Sequence, residues 1–270
     1  PNDECRNKGS LGVNRSQLAN GDDIGKEQAP AIVMQNVSFF FSNTLIFKNL
    51  DFTVPGGQWT CLLGPSGSGK STLLRIISGS LDKATGRVRF EGVGRHERMT
   101  AWMAQKDLLL PWLTVEENVL LGARLRGEIN EDKRFRARTL IDSAGLAGYE
   151  RELPAALSGG MRQRAALLRT LMEDRPVILM DEPFSALDTL TRLKLQDLAA
   201  DLVAGATVLL VTHDPLEALR LGNRIHVMTG RPATIGQALI PESSPPRSPA
   251  DPDVAGLHTT LLDRLMGARP

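Results

Sequence analysis

The sequence predicts an α/β protein, a mixed sheet core with an antiparallel β-layer and an inserted helical subdomain. Three observations carry this. Apolar runs of strand length alternate with helical patterns, which implies a parallel sheet. Four further short runs near the start are separated only by Asn, Pro and Gly turns, as in an antiparallel layer. Between these regions, residues 106–172 are predominantly helical in pattern.

Length and composition allow a folded globular chain. Its 270 residues suffice for one large or two small domains, and 32 basic residues nearly balance 31 acidic ones. No global field therefore favours nucleic acid or anionic lipid. Of the two cysteines, Cys5 lies in a polar stretch and Cys61 in an apolar run, a spacing that suggests neither disulfide framework nor metal site and fits a reducing cytoplasm. No stretch reaches the ~18 to 20 apolar residues needed to span a bilayer, and the first residues lack the order of a signal peptide. Any membrane role is expected to come through a partner.

Residues 1–29, rich in Asn, Asp, Gly, Ser and Lys, read as a flexible leader. Ile32-Val33-Met34, Val37 to Phe41, Leu50 to Val54 and Trp59 to Leu63 read as short strands. A helix pattern follows Gly64 through Leu73, Leu74, Ile76 and Ile77, and further strands are expected at Val177 to Met180, Val208 to Val211 and Ile225 to Met228. Within the helical subdomain, Glu116, Glu117 and the stretch Arg134 to Arg138 are expected on solvated faces. The main domain spans residues 30–240, a Pro- and Ser-rich linker 241–252 ends the compact unit, and residues 253–268 form an amphipathic helix through Leu257, Leu261, Leu262 and Leu265.

Gly64-Pro65-Ser66-Gly67-Ser68-Gly69-Lys70-Ser71 satisfies the phosphate-loop pattern G-x-x-x-x-G-K-S, after a strand and before a helix. The glycines let backbone N–H groups turn onto phosphates, the helix presents its positive end, Lys70 reaches the terminal phosphates and the Ser71 hydroxyl can hold Mg²⁺. With Thr72, these are the candidate ATP-binding residues. Val177 to Glu182 is an apolar run ending in two carboxylates, the pattern of a central strand delivering charge to a sheet edge. Successive residues point oppositely, so Asp181 can face Mg²⁺ while Glu182 faces the γ-phosphate side as a general base.

Leu157-Ser158-Gly159-Gly160-Met161-Arg162-Gln163 offers a second anion-seeking helix end: Ser158 is a good N-cap, and Gly159 and Gly160 permit close approach. Alone, such a Ser-Gly-Gly is most often an ordinary helix start. Beside the phosphate loop and the Asp181-Glu182 pair it resembles the signature segment of the ATP-binding cassette family, and the chain from about residue 32 to 235 is similar to that family throughout.

The resemblance implies a phosphate-loop NTPase of cassette type in which Ser158, Gly159 and Gly160 of one chain face the phosphate loop of another, sandwiching two ATP in a homodimer. It also implies that Gln105 reaches Mg²⁺ and the attacking water, that the loop Ser185 to Asp188 contacts the opposite subunit, that His213 senses the γ-phosphate and that Phe41 stacks on adenine. The catalytic set is then Glu182, His213 and Gln105, and the metal set Ser71, Gln105 and Asp181.

Cassette ATPases acting on nucleic acid or ribosomes usually show tandem cassettes, long coiled-coil insertions or basic arms, none of which is seen here, and a phosphate-loop kinase would leave the signature and His213 unexplained. A separate motor subunit of a bacterial-type importer fits best. It would sit peripherally on the cytoplasmic face of the inner membrane with integral-membrane permease subunits, coupled indirectly to a solute-binding protein and with no nucleic acid partner. In wording, Met103 to Val119 resembles motors of the nitrate, sulfonate and taurine importer group, and most closely those assigned to hydroxymethylpyrimidine, the thiamine precursor. The apolar Leu108-Leu109-Leu110-Pro111-Trp112 is expected to line the groove for a short permease helix.

Overall fold

Ten mainly apolar residues, interrupted by Gln35, Asn36 and Ser38, form a long strand near the start of the described chain, and the sheets follow from it. The computed structural model describes residues 29–81, 83–91 and 99–267. The expected leader, apart from Ala29, lies outside the described residues. Strand β1 (Ile32–Phe41) pairs antiparallel with β2 (Thr44–Val54), Ile32 opposite Val54 and Phe41 opposite Thr44.

The sequence breaks β1 at Gln35-Asn36, yet the structure keeps one strand with a bulge there. Asn36 takes φ 52° and its N–H donates to Asp51 Oδ1 at 2.7 Å, so a residue that usually closes turns is absorbed into the ladder. A second irregularity at Asn49, φ 49°, is held by Ser38 Oγ at 2.8 Å and extends β2 six residues earlier than the apolar pattern suggests.

Next come β3 (Trp59–Leu63), α1 (Lys70–Ile77) and β4 (Thr85–Phe90), the last pairing with the free edge of β1 to give the order β2-β1-β4. After β5 (Thr100–Met103) the chain makes α2 (Val115–Val119), α3 (Leu121–Leu125), α4 (Glu131–Ser143), a 3₁₀ turn at Pro154–Ala156 and α5 (Gly159–Leu171). It returns through β6 (Val177–Asp181), α6 (Thr189–Leu202), β7 (Thr207–Val211), α7 (Pro215–Leu221), β8 (Arg224–Thr229), β9 (Thr234–Ile235) and α8 (Pro252–Met266). The second sheet runs β5-β6-β7-β3-β8-β9, parallel except for the last strand.

This sheet divides two cores, and side-chain alternation assigns each residue to one of them. Cys61, Leu63, Ile178, Met180, Val208 and Leu210 pack with the helices α2, α4 and α5 on one side. Leu62, Val177, Leu179, Leu209 and Val211 pack with α1 and the antiparallel sheet on the other. Burial on both faces explains why β3, β6 and β7 read as unbroken apolar runs.

The insertion between β5 and β6 is helical but not uniformly solvated. Glu117 closes a capping box at the start of α2, its carboxylate accepting from Thr114 N–H at 2.9 Å and its N–H donating to Thr114 Oγ1 at 3.2 Å, and Glu116 is partly covered and pairs with Arg138 at 3.2 Å. The Pro- and Ser-rich segment 241–252 does not end the compact unit. Arg247 within it is buried and donates to the carbonyls of Leu219 and Gly222 at 2.7 and 2.8 Å, strapping α8 to α7. A buried guanidinium that satisfies carbonyls at a helix C-terminus is a fixed contact, not a tether. Among the described residues no helix is long and apolar enough to cross a membrane.

Candidate functional site

Four parallel strands that are neighbours, β5, β6, β7 and β3, deliver their C-terminal ends to one edge of the sheet, where α/β proteins gather ligands. The residues just beyond those ends are Gln105, Glu182, His213 and the loop Gly64 to Gly69. Chain distances of tens of residues thus collapse into one cluster.

The loop is shaped by its glycines and held from inside by its lysine. Gly69 caps α1 with φ 102°, and a Cβ there would stand 2.9 Å from Ile46 and 3.1 Å from the Phe47 ring, so only glycine fits. Lys70 Nζ donates to the carbonyls of Gly64 and Pro65 at 2.7 and 2.9 Å. Burial lowers the pKa of its ammonium, against the upward pull of Glu182 and Asp181. Pro65, Ser66 and Gly67 are exposed, Ser71 and Thr72 are half-buried, and Ser68 Oγ is buried without a hydrogen-bond partner among the described residues.

Asp181, the last residue of β6, is only 4% exposed and takes a hydrogen bond from Ser71. Burial raises its pKa, and the Ser71 bond and Lys70 act in the other direction. Glu182 follows with φ 51°, a left-handed conformation that costs a non-glycine residue energy. Gln105 Nε2 donates to Glu182 Oε2 at 3.2 Å, and His213 Nδ1 stands 3.3 Å from Glu182 Oε1. One carboxylate is thereby oriented from both neighbouring strand ends.

Phe41 ends β1 with its ring 67% exposed, on the wall of a cleft of about 200 Å³ shared with Ile46, Gly67, Ser68 and Arg231. Its neighbour Phe39 is buried in the core and Phe40 is exposed. An exposed aromatic beside a phosphate loop offers a flat apolar face to a planar ring.

Ser158 caps α5, its Oγ accepting from Met161 N–H at 3.3 Å, and Ser158 and Gly159 face outward. Among the described residues no hydrogen bond joins Ser158, Gly159 or Gly160 to the phosphate loop of the same chain. Instead a Cβ on Gly160 would lie 3.2 Å from the Ala186 carbonyl, which sets α5 against the loop after β6. Asp188 in that loop is exposed and caps α6 through Thr191 N–H at 3.0 Å, a bond that lowers its pKa.

Several residues of the cluster carry no local sequence signal. Buried Gln163 donates to the carbonyl of Pro183 at 3.1 Å, tying α5 to the turn that carries Glu182. Arg162 Nε pairs with Asp107 at 3.0 Å, and Arg169 donates to the carbonyls of Asp107 and Leu108 at 2.8 Å each, so the segment after Gln105 is stapled to α5. Thr212, Glu217 and Arg231 join the site from other elements. Arg162 and Gln163 lie within the signature segment and Asp107 within the Met103 to Val119 stretch, though no local pattern gave them a role; Arg169, Thr212, Glu217 and Arg231 are found by proximity in the fold.

A phosphate loop, a strand-end Asp-Glu pair and a second capped helix end on one α/β scaffold define a nucleotide-hydrolysing cassette. Residues 47–185 match the protein family described as ABC transporter, and the chain belongs to that family. A Haemophilus influenzae protein named as an uncharacterized ABC transporter ATP-binding protein is 40% identical over 87% of this chain and 98% of its own length. Proteins named aliphatic sulfonates import ATP-binding protein SsuB 1 are similar as well. That of Pseudomonas savastanoi pv. phaseolicola is 42% identical over 83% of this chain and 92% of its own, and that of Rhodococcus jostii 43% over 84% and 90%. Among solved structures, the dimeric bacterial ABC transporter cassette MJ0796 superposes with a TM-score of 0.68 at 29% identity, covering 80% of this chain and 99% of that one. The same cassette bound to ADP and Pi gives 0.67 at 28% identity, with the same coverage.

Proposed function

We propose that the chain is the ATP-hydrolysing motor of an importer, closing on ATP as a homodimer and driving separate membrane subunits. The observation that carries the proposal is the grip on Glu182, held by Gln105 at 3.2 Å and His213 at 3.3 Å beside the phosphate loop. In this reading ATP lies with its adenine on Phe41, its β- and γ-phosphates on Lys70 and the loop N–H groups, and Ser68 Oγ gains the partner it lacks. Glu182 takes a proton from the attacking water, and His213 and Gln105 hold that carboxylate and the water in line.

The donors near Lys70 suit Mg²⁺: the Ser71 hydroxyl, the Asp181 carboxylate and the Gln105 amide oxygen are all hard oxygen ligands, few enough to leave room for phosphates and waters. When bound, the ion would neutralise charge on the β- and γ-phosphates. Ser158 and Gly159, exposed, and half-buried Gly160, with no hydrogen bond to their own phosphate loop among the described residues, clamp the γ-phosphate bound by a second copy, with Asp188 beside them. The cassette MJ0796, described as dimeric, supports that closure.

The membrane subunit docks on the segment after Gln105, where Trp112 is 70% and Leu108 56% exposed. The chain thus works peripherally at the cytoplasmic face of the inner membrane, with a solute-binding protein delivering cargo on the far side. The relatives named for aliphatic sulfonates favour a small organic sulfonate over hydroxymethylpyrimidine.

Glu182→Gln keeps the shape but removes the base, so ATP should bind while hydrolysis slows by at least ~10²-fold. Uncleaved ATP should then hold two chains together. Sedimentation should show Glu182→Gln as a dimer with ATP and a monomer without it, and adding Ser158→Arg should restore the monomer even with ATP. An ATP-independent dimer, or a double variant that still dimerises on ATP, contradicts the sandwich.

A further inference from the structure

Behind the Glu182–His213 pair lies a small chamber of about 30 Å³ whose walls include Glu182, Arg192, Thr212, His213, Asp214 and Glu217. Its size and polar walls suit one water molecule. Glu217 is a carboxyl on α7 that is 5% exposed, and its Oε1 is buried with no hydrogen-bond partner among the described residues. A native fold rarely leaves such an atom without a reason.

The ordinary reason for a Glu at this place would be helix capping. Asp214 caps α7, and Glu217 stands three residues on, where a capping-box side chain returns to the cap N–H. That N–H is already taken: Asp214 N donates to Thr212 Oγ1 at 3.1 Å. Among the described residues Glu217 makes no ion pair: the Arg192 Nη1 on the chamber wall pairs with Asp214 at 3.0 Å, and the Arg192 Nε is likewise buried without a partner, a second polar atom for a water in the chamber. The carboxyl instead accepts from the Thr212 side chain, adjacent to His213.

We propose that Glu217 is a positioning residue for ATP hydrolysis, holding through a water in this chamber the Glu182–His213 pair in its working orientation. This rests on Glu182 as the base. Burial, with Asp214 adding to it, pushes the Glu217 carboxyl up to about 8, so at neutral pH it is an uncharged O–H donor. Such a donor can hydrogen-bond to the water, which in turn donates to the Glu182 carboxylate. Once ionised, Glu217 loses the donor and repels Glu182. The other charged or titratable groups that face it are Asp214, His213 and Arg192, with Arg220 on its own helix, engaged by Asp197 and the Arg247 carbonyl, and the Cys61 thiol on β3, which burial holds neutral.

The test is steady-state ATPase activity and ATP affinity of the full chain, wild type, Glu217→Gln and Glu217→Leu, from about pH 6.5 to 9.5. Gln keeps an uncharged donor of the same shape. Glu217→Gln should therefore keep the neutral-pH kcat and lose the decline that the wild type shows above about pH 8. Glu217→Leu should lower kcat roughly tenfold with KM for ATP unchanged. A wild-type alkaline decline that persists in Glu217→Gln overturns the proposal, as does a folded Glu217→Leu with wild-type kcat. If the Leu variant does not fold, the wild-type and Gln pH profiles decide alone. Failure of the base assignment would appear separately, as undiminished hydrolysis by Glu182→Gln.

Discussion

The strand-end cluster and the outer segment that carries Trp112 are built on opposite terms. At the strand ends, Lys70 and Asp181 are charged groups nearly sealed from water, and the protein itself supplies their partners: loop carbonyls for one, Ser71 for the other. On the outer face, apolar side chains stand in solvent while the backbone beneath them is fixed. Asn118, fully buried, donates to the carbonyls of Leu110, Leu113 and Thr114 and accepts from Leu110 N–H, holding the turn below Trp112 rigid. Buried charge is costly unless matched, and exposed apolar surface is costly unless covered. The first region thus suits a small charged ligand, the second leaves apolar surface uncovered, and the Arg162 and Arg169 staples join them through α5.

The largest effect separating the two belongs to Lys70. Its ammonium is the one basic side chain inside the phosphate loop, so Lys70→Ala should remove measurable ATP binding at micromolar nucleotide while the fold survives. Calorimetric titration of the folded variant checks this, and wild-type affinity would sink the assignment. The next effect should fall wholly on the other region. Trp112→Asp places a charge on the exposed apolar face, far from the Lys70 contacts, so co-purification with the membrane subunit should weaken while the chain's own ATP affinity stays within about twofold. Equal loss of nucleotide binding in that variant would erase the distinction between the regions.

What the sequence alone revealed follows the same division. The phosphate loop, the Asp181-Glu182 strand end and the Ser158 cap are each written within a few consecutive residues, and local chemistry is what sequence patterns report. Glu217, Arg231 and Asn118 act through contacts that exist only once distant elements meet, so no spacing announced them. The bulge at Asn36 misled because αL asparagine closes turns as readily as it kinks strands. Strand β5 escaped notice because it has only four residues, and β4 because it lies exposed at a sheet edge, where polar residues blur the alternation. The strap around Arg247 looked like a linker because proline and serine content says nothing of a single buried guanidinium.

The smallest expected effect sharpens the contrast most finely, because it tests whether the turn below Trp112 is rigid by construction. Helix α2 has only five residues, too few to persist without help from its ends. That help comes from Thr114, whose hydroxyl accepts from Glu117 N–H at 3.2 Å while Glu117 returns to Thr114 N–H at 2.9 Å. Asn118 stands on this helix, so loosening the cap should loosen every bond Asn118 makes to the turn. Thr114→Ala removes the hydroxyl and should cost about 1 kcal/mol locally. Amide hydrogen exchange should then quicken roughly fivefold at Leu110 and Leu113 while the amides of β3 and β6 keep wild-type protection. Basal ATPase activity should not move, since no part of the cap reaches Glu182. Uniform acceleration across β3 and β6 would show instead that the turn shares the stability of the whole fold, and the outer face would lose its standing as a separately held surface.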